Sequence, residues 1–171
     1  MEFALSAGVL VLLLLGLLDF GRAFYFGVRL QDAAREGARV GVRYDPQSGT
    51  HPGLNDTAIA AAVNNVLTNS GMSAATDEDQ APGGATCPAT SNGNTLYQPG
   101  YKDTAYPTST GQTYLYICYE NTPGLDPPSG TPLTKLNVIV LYRFGLLTGF
   151  LQNTLGPSGI EIYGEYQALV Q

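Results

Sequence analysis

Few side chains in this 171-residue chain are suited to reaction chemistry. His51 is the only histidine, and it stands in the turn-forming triplet His51-Pro52-Gly53. A nucleophile relay and a histidine-ligated metal both depend on imidazoles held on a fixed wall, so the sequence argues against each. No phosphate-cradling glycine loop, nucleophile elbow or dinucleotide fingerprint occurs. Asp77-Glu78-Asp79 could offer carboxylates to calcium, but their consecutive spacing fits no calcium loop, and a solvated loop is the expectation. Asn55-Asp56-Thr57 matches an N-glycosylation acceptor, yet a cap at the start of a helix explains it better. The Ser/Thr-rich stretch 104–113 offers positions for O-glycans. The chain is expected not to be an enzyme and to need no cofactor or metal.

Two further groups of residues invite a physical account. Cys87 and Cys118 are the only cysteines, and they form neither a CxxC pair nor a haem signature. In a Gly-, Pro-, Thr-, Asn- and Tyr-rich body of exported character they read as one disulfide. It would close a loop of about 32 residues and contribute about 3–4 kcal/mol in the chain-entropy account. Two reduced, buried thiols are the alternative. The second group is Glu2, Asp19 and Arg22. The two acids bracket sixteen uncharged residues, 3–18, most of them Leu, Val, Ala or Phe. A carboxylate beside such a run is costly to bury without a cation. For Glu2 the choices are a neighbouring subunit's ammonium or water at an interface. Asp19 and Arg22 share one helix face and can pair within a helix or between subunits.

The element that positions these charges is a long helix. Residues 2–42 contain no proline, and small or apolar residues recur at three-and-four spacing from Ala23 to Gly41 opposite Arg29, Asp32, Arg35, Glu36 and Arg39. The front of this helix is apolar all round and its back is amphipathic. The run 3–18 is about 24 Å long, somewhat short of a full span, and continues to span length through Val28 only if Asp19 and Arg22 are accommodated. Ala33, Gly37 and Gly41 form a ladder of small residues that admits a second backbone.

Charge divides the chain. The first 43 residues hold five arginines against four acids, whereas the remainder holds three basic residues against ten acids. An acidic, Lys-poor body argues against nucleic acid as a partner. The arginines behind the apolar run would by themselves direct the body to the cytoplasm. The acidic residue ahead of the run and the continuing helix behind it do not fit a cleaved secretory signal.

Residues 44–171 read as a separate α+β domain. Tyr44-Asp45-Pro46 stops the helix and 47–53 is a polar linker. A second helix over 57–69 is capped by Asn55 or Asp56 and stopped by Ser70-Gly71, with Ile59, Val63, Val66 and Leu67 as its apolar stripe. Residues 72–112 form a loop-rich insert. Strands are expected at 113–119, 135–144 and 160–170, with a turn over 122–132 and a short helix over 146–155. The sum is a long hydrophobic helix, 1–43, followed by one helix packed on a small antiparallel sheet of three or four strands.

Glu2-Phe3 ahead of the apolar run, Asp19-Phe20-Gly21-Arg22 at its end and Ala33-Ala34-Arg35-Glu36-Gly37-Ala38-Arg39 behind it resemble the N-terminus of the TadE-like proteins. These are pilin-related subunits of the tight-adherence branch of the type IV pilus superfamily. The resemblance implies a basic leader removed by a prepilin peptidase, with residues upstream of Met1 and the leader supplying the cytoplasmic positive charge. It implies contact between Glu2 and the amine of a neighbouring subunit. With the small-residue ladder added, the expected assembly residues are Glu2, Phe3, Asp19, Arg22, Ala33, Gly37 and Gly41. The expected function is a structural subunit held in the inner membrane before assembly. Assembly machinery then polymerises it into an extracellular, helical, type IV pilus-like filament whose surface domains serve adhesion. The alternative is a single-pass, membrane-anchored minor pseudopilin that primes or tips a pilus or a secretion machine.

Overall fold

Without proline or a cluster of β-branched residues to interrupt it, the N-terminal segment forms one helix, α1 (Glu2–Gly41), of 40 residues and about 60 Å. In the computed structural model, residues 2–49, 51–78, 106–119, 122–123, 135–147 and 159–170 are described. Helix α1 closes with Val42 N–H donating to Ala38 O at 3.0 Å and Arg43 N–H to Val40 O at 3.2 Å. A side-chain turn follows. Asp45 Oδ1 accepts from Gln47 N–H at 3.0 Å and Oδ2 from the Ser48 hydroxyl at 2.8 Å, holding the Asp45 carboxyl below its usual range.

The second helix, α2 (Asp56–Asn69), starts at Asn55, whose Oδ1 accepts from Ala58 N–H at 2.7 Å. Asp56, the other candidate cap, instead accepts the Tyr119 hydroxyl at 2.8 Å in the interior. The helix ends in a paired-hydrogen-bond cap: Met72 N–H donates to Leu67 O and Gly71 N–H to Thr68 O, with Gly71 at φ +79°. Ile59, Val63 and Leu67 are buried, as their spacing predicts.

The sheet has three main strands, β2 (Thr113–Tyr119), β4 (Lys135–Phe144) and β5 (Ile160–Leu169), paired antiparallel in that order. Two-residue strands extend it at β2: β1 (Thr76–Asp77) pairs in parallel and β3 (Thr122–Pro123) antiparallel. The expected antiparallel sheet is therefore mixed, because part of the 72–112 insert folds back beside β2. Leu146 and Leu147 lie outside any helix, and the rest of the expected helix over 146–155 falls outside the described residues.

Register assigns the two faces. Leu136, Val138, Val140, Tyr142 and Phe144 face α1 and α2 with Leu115, Ile117 and Tyr119 from β2, forming the main core. The opposite face carries Ile139 and Leu141 with Tyr116 and Cys118, covered by Tyr106. Helix α1 contributes Leu30, Ala33, Ala34 and Ala38, all fully buried, so its back half belongs to the body's core. The element boundary lies at residue 41, whereas the packing boundary lies near Asp19.

Helix and sheet meet backbone to backbone at Gly164. A Cβ there would stand 2.6 Å from Gln31 N and nearer still to the Leu30 carbonyl, so backbone lies directly on backbone. Gly164→Ala is expected to cost about 1–3 kcal/mol, the range for overpacking a well-fitted core. Gly21, with nothing within 4 Å among the described residues, provides the control. Thermal melts of the detergent-solubilised chain should show a lowered Tm for Gly164→Ala and none for Gly21→Ala.

Candidate functional site

Where β4 ends, the chain leaves the ladder and Leu147 N–H has no strand partner. It donates to Asp19 Oδ1 at 3.0 Å, across 128 residues of sequence. The same oxygen takes Arg22 Nη1 at 3.4 Å, so the Asp19–Arg22 pair forms within one helix. Asp19 is only 2% exposed, whereas Arg22 remains partly open. The Arg22 guanidinium lies 5.2 Å from the centre of the Phe144 ring and 6.0 Å from that of Phe26. Phe26 in turn meets Tyr142 and Phe144 edge-on, at centroid distances of 5.5 and 5.7 Å. Burial pushes the Tyr142 phenol up, with Arg22 opposing the shift. This junction of carboxylate, guanidinium, aromatic rings and strand-end amide fastens the body to the helix.

Below the junction the helix emerges from the body. From Val9 to Leu18 the large apolar side chains are 43–67% exposed on every side of the helix. By length and composition α1 can cross a membrane. Glu2 and Phe3 open the helix, but their side chains lie outside the described residues.

The small-residue ladder has an occupant in its own chain. A Cβ at Gly37 would lie 2.6 Å from Val63 Cγ2 and 3.3 Å from Ile59 Cγ2, and one at Gly41 would meet Leu136 and Ile59. Ala33 is fully buried in the same core. Of these three positions, expected at a contact between subunits, Gly37 and Gly41 pack the chain's own α2 and β4 and Ala33 lies inside the same core. A stripe of small residues identifies a close neighbour but not which chain supplies it. Gly8, Gly16 and Gly21, in contrast, have nothing within 4 Å among the described residues.

Of the cysteines, Cys118 is buried on the sheet face away from the helices, and Cys87 lies outside the described residues. His51 stays near the helix end, its Nδ1 3.2 Å from Val42 O and its ring 5.4 Å from that of Tyr44. Of the acidic triplet, Asp77 closes β1 and Glu78 N–H donates to Leu115 O, while Asp79 is outside the described residues. Burial, reinforced by the Asp77 charge, raises the Glu78 carboxyl.

Sequence reasoning missed Leu147 and Gly164. A backbone amide as the partner of Asp19 leaves no residue-type signal. Gly164 did leave one, since an isolated glycine within a strand pattern often marks a close backbone approach. Asp19→Ala removes the acceptor of a part-buried amide and is expected to destabilise by about 1–3 kcal/mol. Hydrogen exchange at Leu147 should accelerate in Asp19→Ala, while Asp19→Asn, which retains a carbonyl acceptor, should keep most of the protection.

No curated protein and no solved structure matches the chain. Residues 1–39, which cover the exposed run, the Asp19–Arg22 pair and most of the buried back half of α1, match the family model described as TadE-like protein. The similarity is thus confined to the N-terminal helix and does not extend over the body.

Proposed function

We propose that the chain is a structural pilin subunit of a tight-adherence (Tad) pilus system. It is held by α1 in the inner membrane before assembly and polymerises through the front of α1 into an extracellular filament. The TadE-like match supports a pilus-associated component. The observation that carries the finer reading is the apolar surface of α1 between Val9 and Leu18, which is exposed around the whole helix. A single isolated subunit in water would leave that surface uncompensated; a bilayer or a bundle of identical helices covers it. Burying a Leu or Val side chain from water is worth about 1.5–3 kcal/mol, and less when the starting environment is lipid. Packing a front helix against a different face of the next copy is a heterologous contact, which propagates as an open helix.

In this proposal Glu2 meets the amine of a neighbouring subunit, a prepilin peptidase removes a leader, and the bodies form the adhesive outer surface. The chain performs no catalysis and binds no nucleic acid. The assembly role of Ala33, Gly37 and Gly41 becomes indirect: by seating α2 and β4, they fix how the body is carried on the helix.

Shearing cells and imaging the released material by electron microscopy tests the proposal. Fibres composed mostly of this chain are expected, and Leu13→Asp should abolish them by placing a charge in the helix bundle. Material that stays in the membrane as monomers would overturn the filament reading in favour of an anchored minor pseudopilin.

We also propose that Cys118 pairs with Cys87. Its support is the 1% exposure of Cys118 beside Tyr106 and Tyr116, and no cysteine among the described residues is free. Non-reducing peptide mapping should recover a linked Cys87–Cys118 peptide, and Cys118→Ser should cost about 2–5 kcal/mol, the range for losing a native disulfide. Recovery of two alkylated thiols would overturn the pairing.

A further inference from the structure

We propose that the base of the body enters the bilayer interface: Phe20, Phe24 and Leu147 form an apolar collar that contacts lipid at the level of the headgroups and upper acyl chains. This rests on the membrane-held stage of the function proposed above and adds a lipid-contacting surface on the body itself.

The argument begins with length. The uncharged run between Glu2 and Asp19 spans about 24 Å, against a hydrocarbon core of about 30 Å. Covering the core therefore draws in residues beyond Asp19. Asp19 does not obstruct this, because its carboxylate is already buried and served by Leu147 N–H and Arg22. Above it the large exposed side chains are aromatic or apolar: Phe20 is 70% exposed and Phe24 69%, followed by Tyr25 and Val28, while the partly exposed Arg22 lies over the Phe26 and Phe144 rings. The next charged side chain after Arg22 is Arg29, whose guanidinium lies 5.2 Å from the centre of the Tyr25 ring. Aromatic rings with long basic side chains suit the membrane–water boundary, where the stems lie in apolar surroundings and the heads reach water.

The body cannot stand clear of this layer. The Asp19 bond fixes Leu147, itself 70% exposed, at the level of Asp19. Phe24 lies about 7.5 Å farther along the axis, toward the body's far end. A bilayer that reaches Phe24 must therefore also reach Leu147. Leu147 is exposed at the level where the membrane run ends, and Phe20 and Phe24 carry exposed apolar surface past that level, which is why lipid is the occupant assigned here.

The chain contains no tryptophan, so single Trp substitutions report without background. Leu147→Trp and Phe24→Trp would be placed in the full chain reconstituted into phosphatidylcholine vesicles with bromines high on the acyl chains. Leu13→Trp reports the buried run, and Tyr44→Trp, at the far end of α1, reports solvent. The expected result is a blue-shifted emission that loses most of its intensity to bromine at positions 147 and 24, with Tyr44→Trp unquenched. Quenching at 13 but not at 147 would overturn the collar while leaving the anchor intact. A blue shift at 147 without bromine quenching would assign the rim to a second copy of the chain and also overturn it. Absence of quenching at 13 would remove the membrane-held stage itself, and the collar with it.

Discussion

One uninterrupted helix has to satisfy two different surroundings, and the point where its cover stops governs the rest of the structure. Behind Asp19, α1 supplies Leu30, Ala33, Ala34 and Ala38 to a core shared with α2 and the sheet. Ahead of Asp19 its leucines and valines are largely exposed. The transition is abrupt because it is made by a hydrogen bond rather than by a gradient of hydrophobicity. The strand-end amide of Leu147 needs an acceptor, Asp19 needs a donor, and the two meet where neither could be left unpaired cheaply.

The body is arranged around the back half of the same helix. Gly37 and Gly41 allow Ile59, Val63 and Leu136 to approach the helix, and Gly164 allows β5 to lie against its backbone. Three glycines on two elements thereby define a narrow seat that larger side chains would widen. The other sheet face is independent of the helix. It packs Tyr106 over Tyr116, Ile139 and Leu141, and its polar rim is held by Asn137 Nδ2 donating to Glu165 at 2.8 Å and by Arg143 near Glu161 at 3.4 Å. The ten-residue strand β4 lies between both packing layers, which explains why its sequence is almost uniformly apolar.

Most of the architecture was legible in the amino-acid order, because its signals are local. The absence of proline before Pro46, the cap at Asn55 or Asp56, the stop at Ser70-Gly71, the alternation in 113–119 and 160–170 and the nearly continuous apolar run 135–144 each determine an element within a few residues of themselves. The short parallel strand Thr76–Asp77 was not legible, since two residues carry no period and depend entirely on β2 for pairing. The candidate site divided along the same line. Asp19 and Arg22 were conspicuous as charges next to an apolar run, but the amide that completes the site lies 128 residues away and belongs to a leucine. The Ala33, Gly37 and Gly41 ladder was visible as a demand for close packing. Its occupant was not, because the helix that fills it comes from the same chain.

The direction in which α1 crosses the sheet has a mechanical consequence. Gly27 meets Ile162 and Leu30 meets Gly164, so helix and β5 run the same way, both antiparallel to β4. Tension entering through the front of α1 therefore reaches the sheet along its strands. The load crosses the packing of α1 on β4 and β5 in shear, instead of opening it from one end. A body mounted in this orientation meets a pull on its stalk with the whole helix–sheet contact at once.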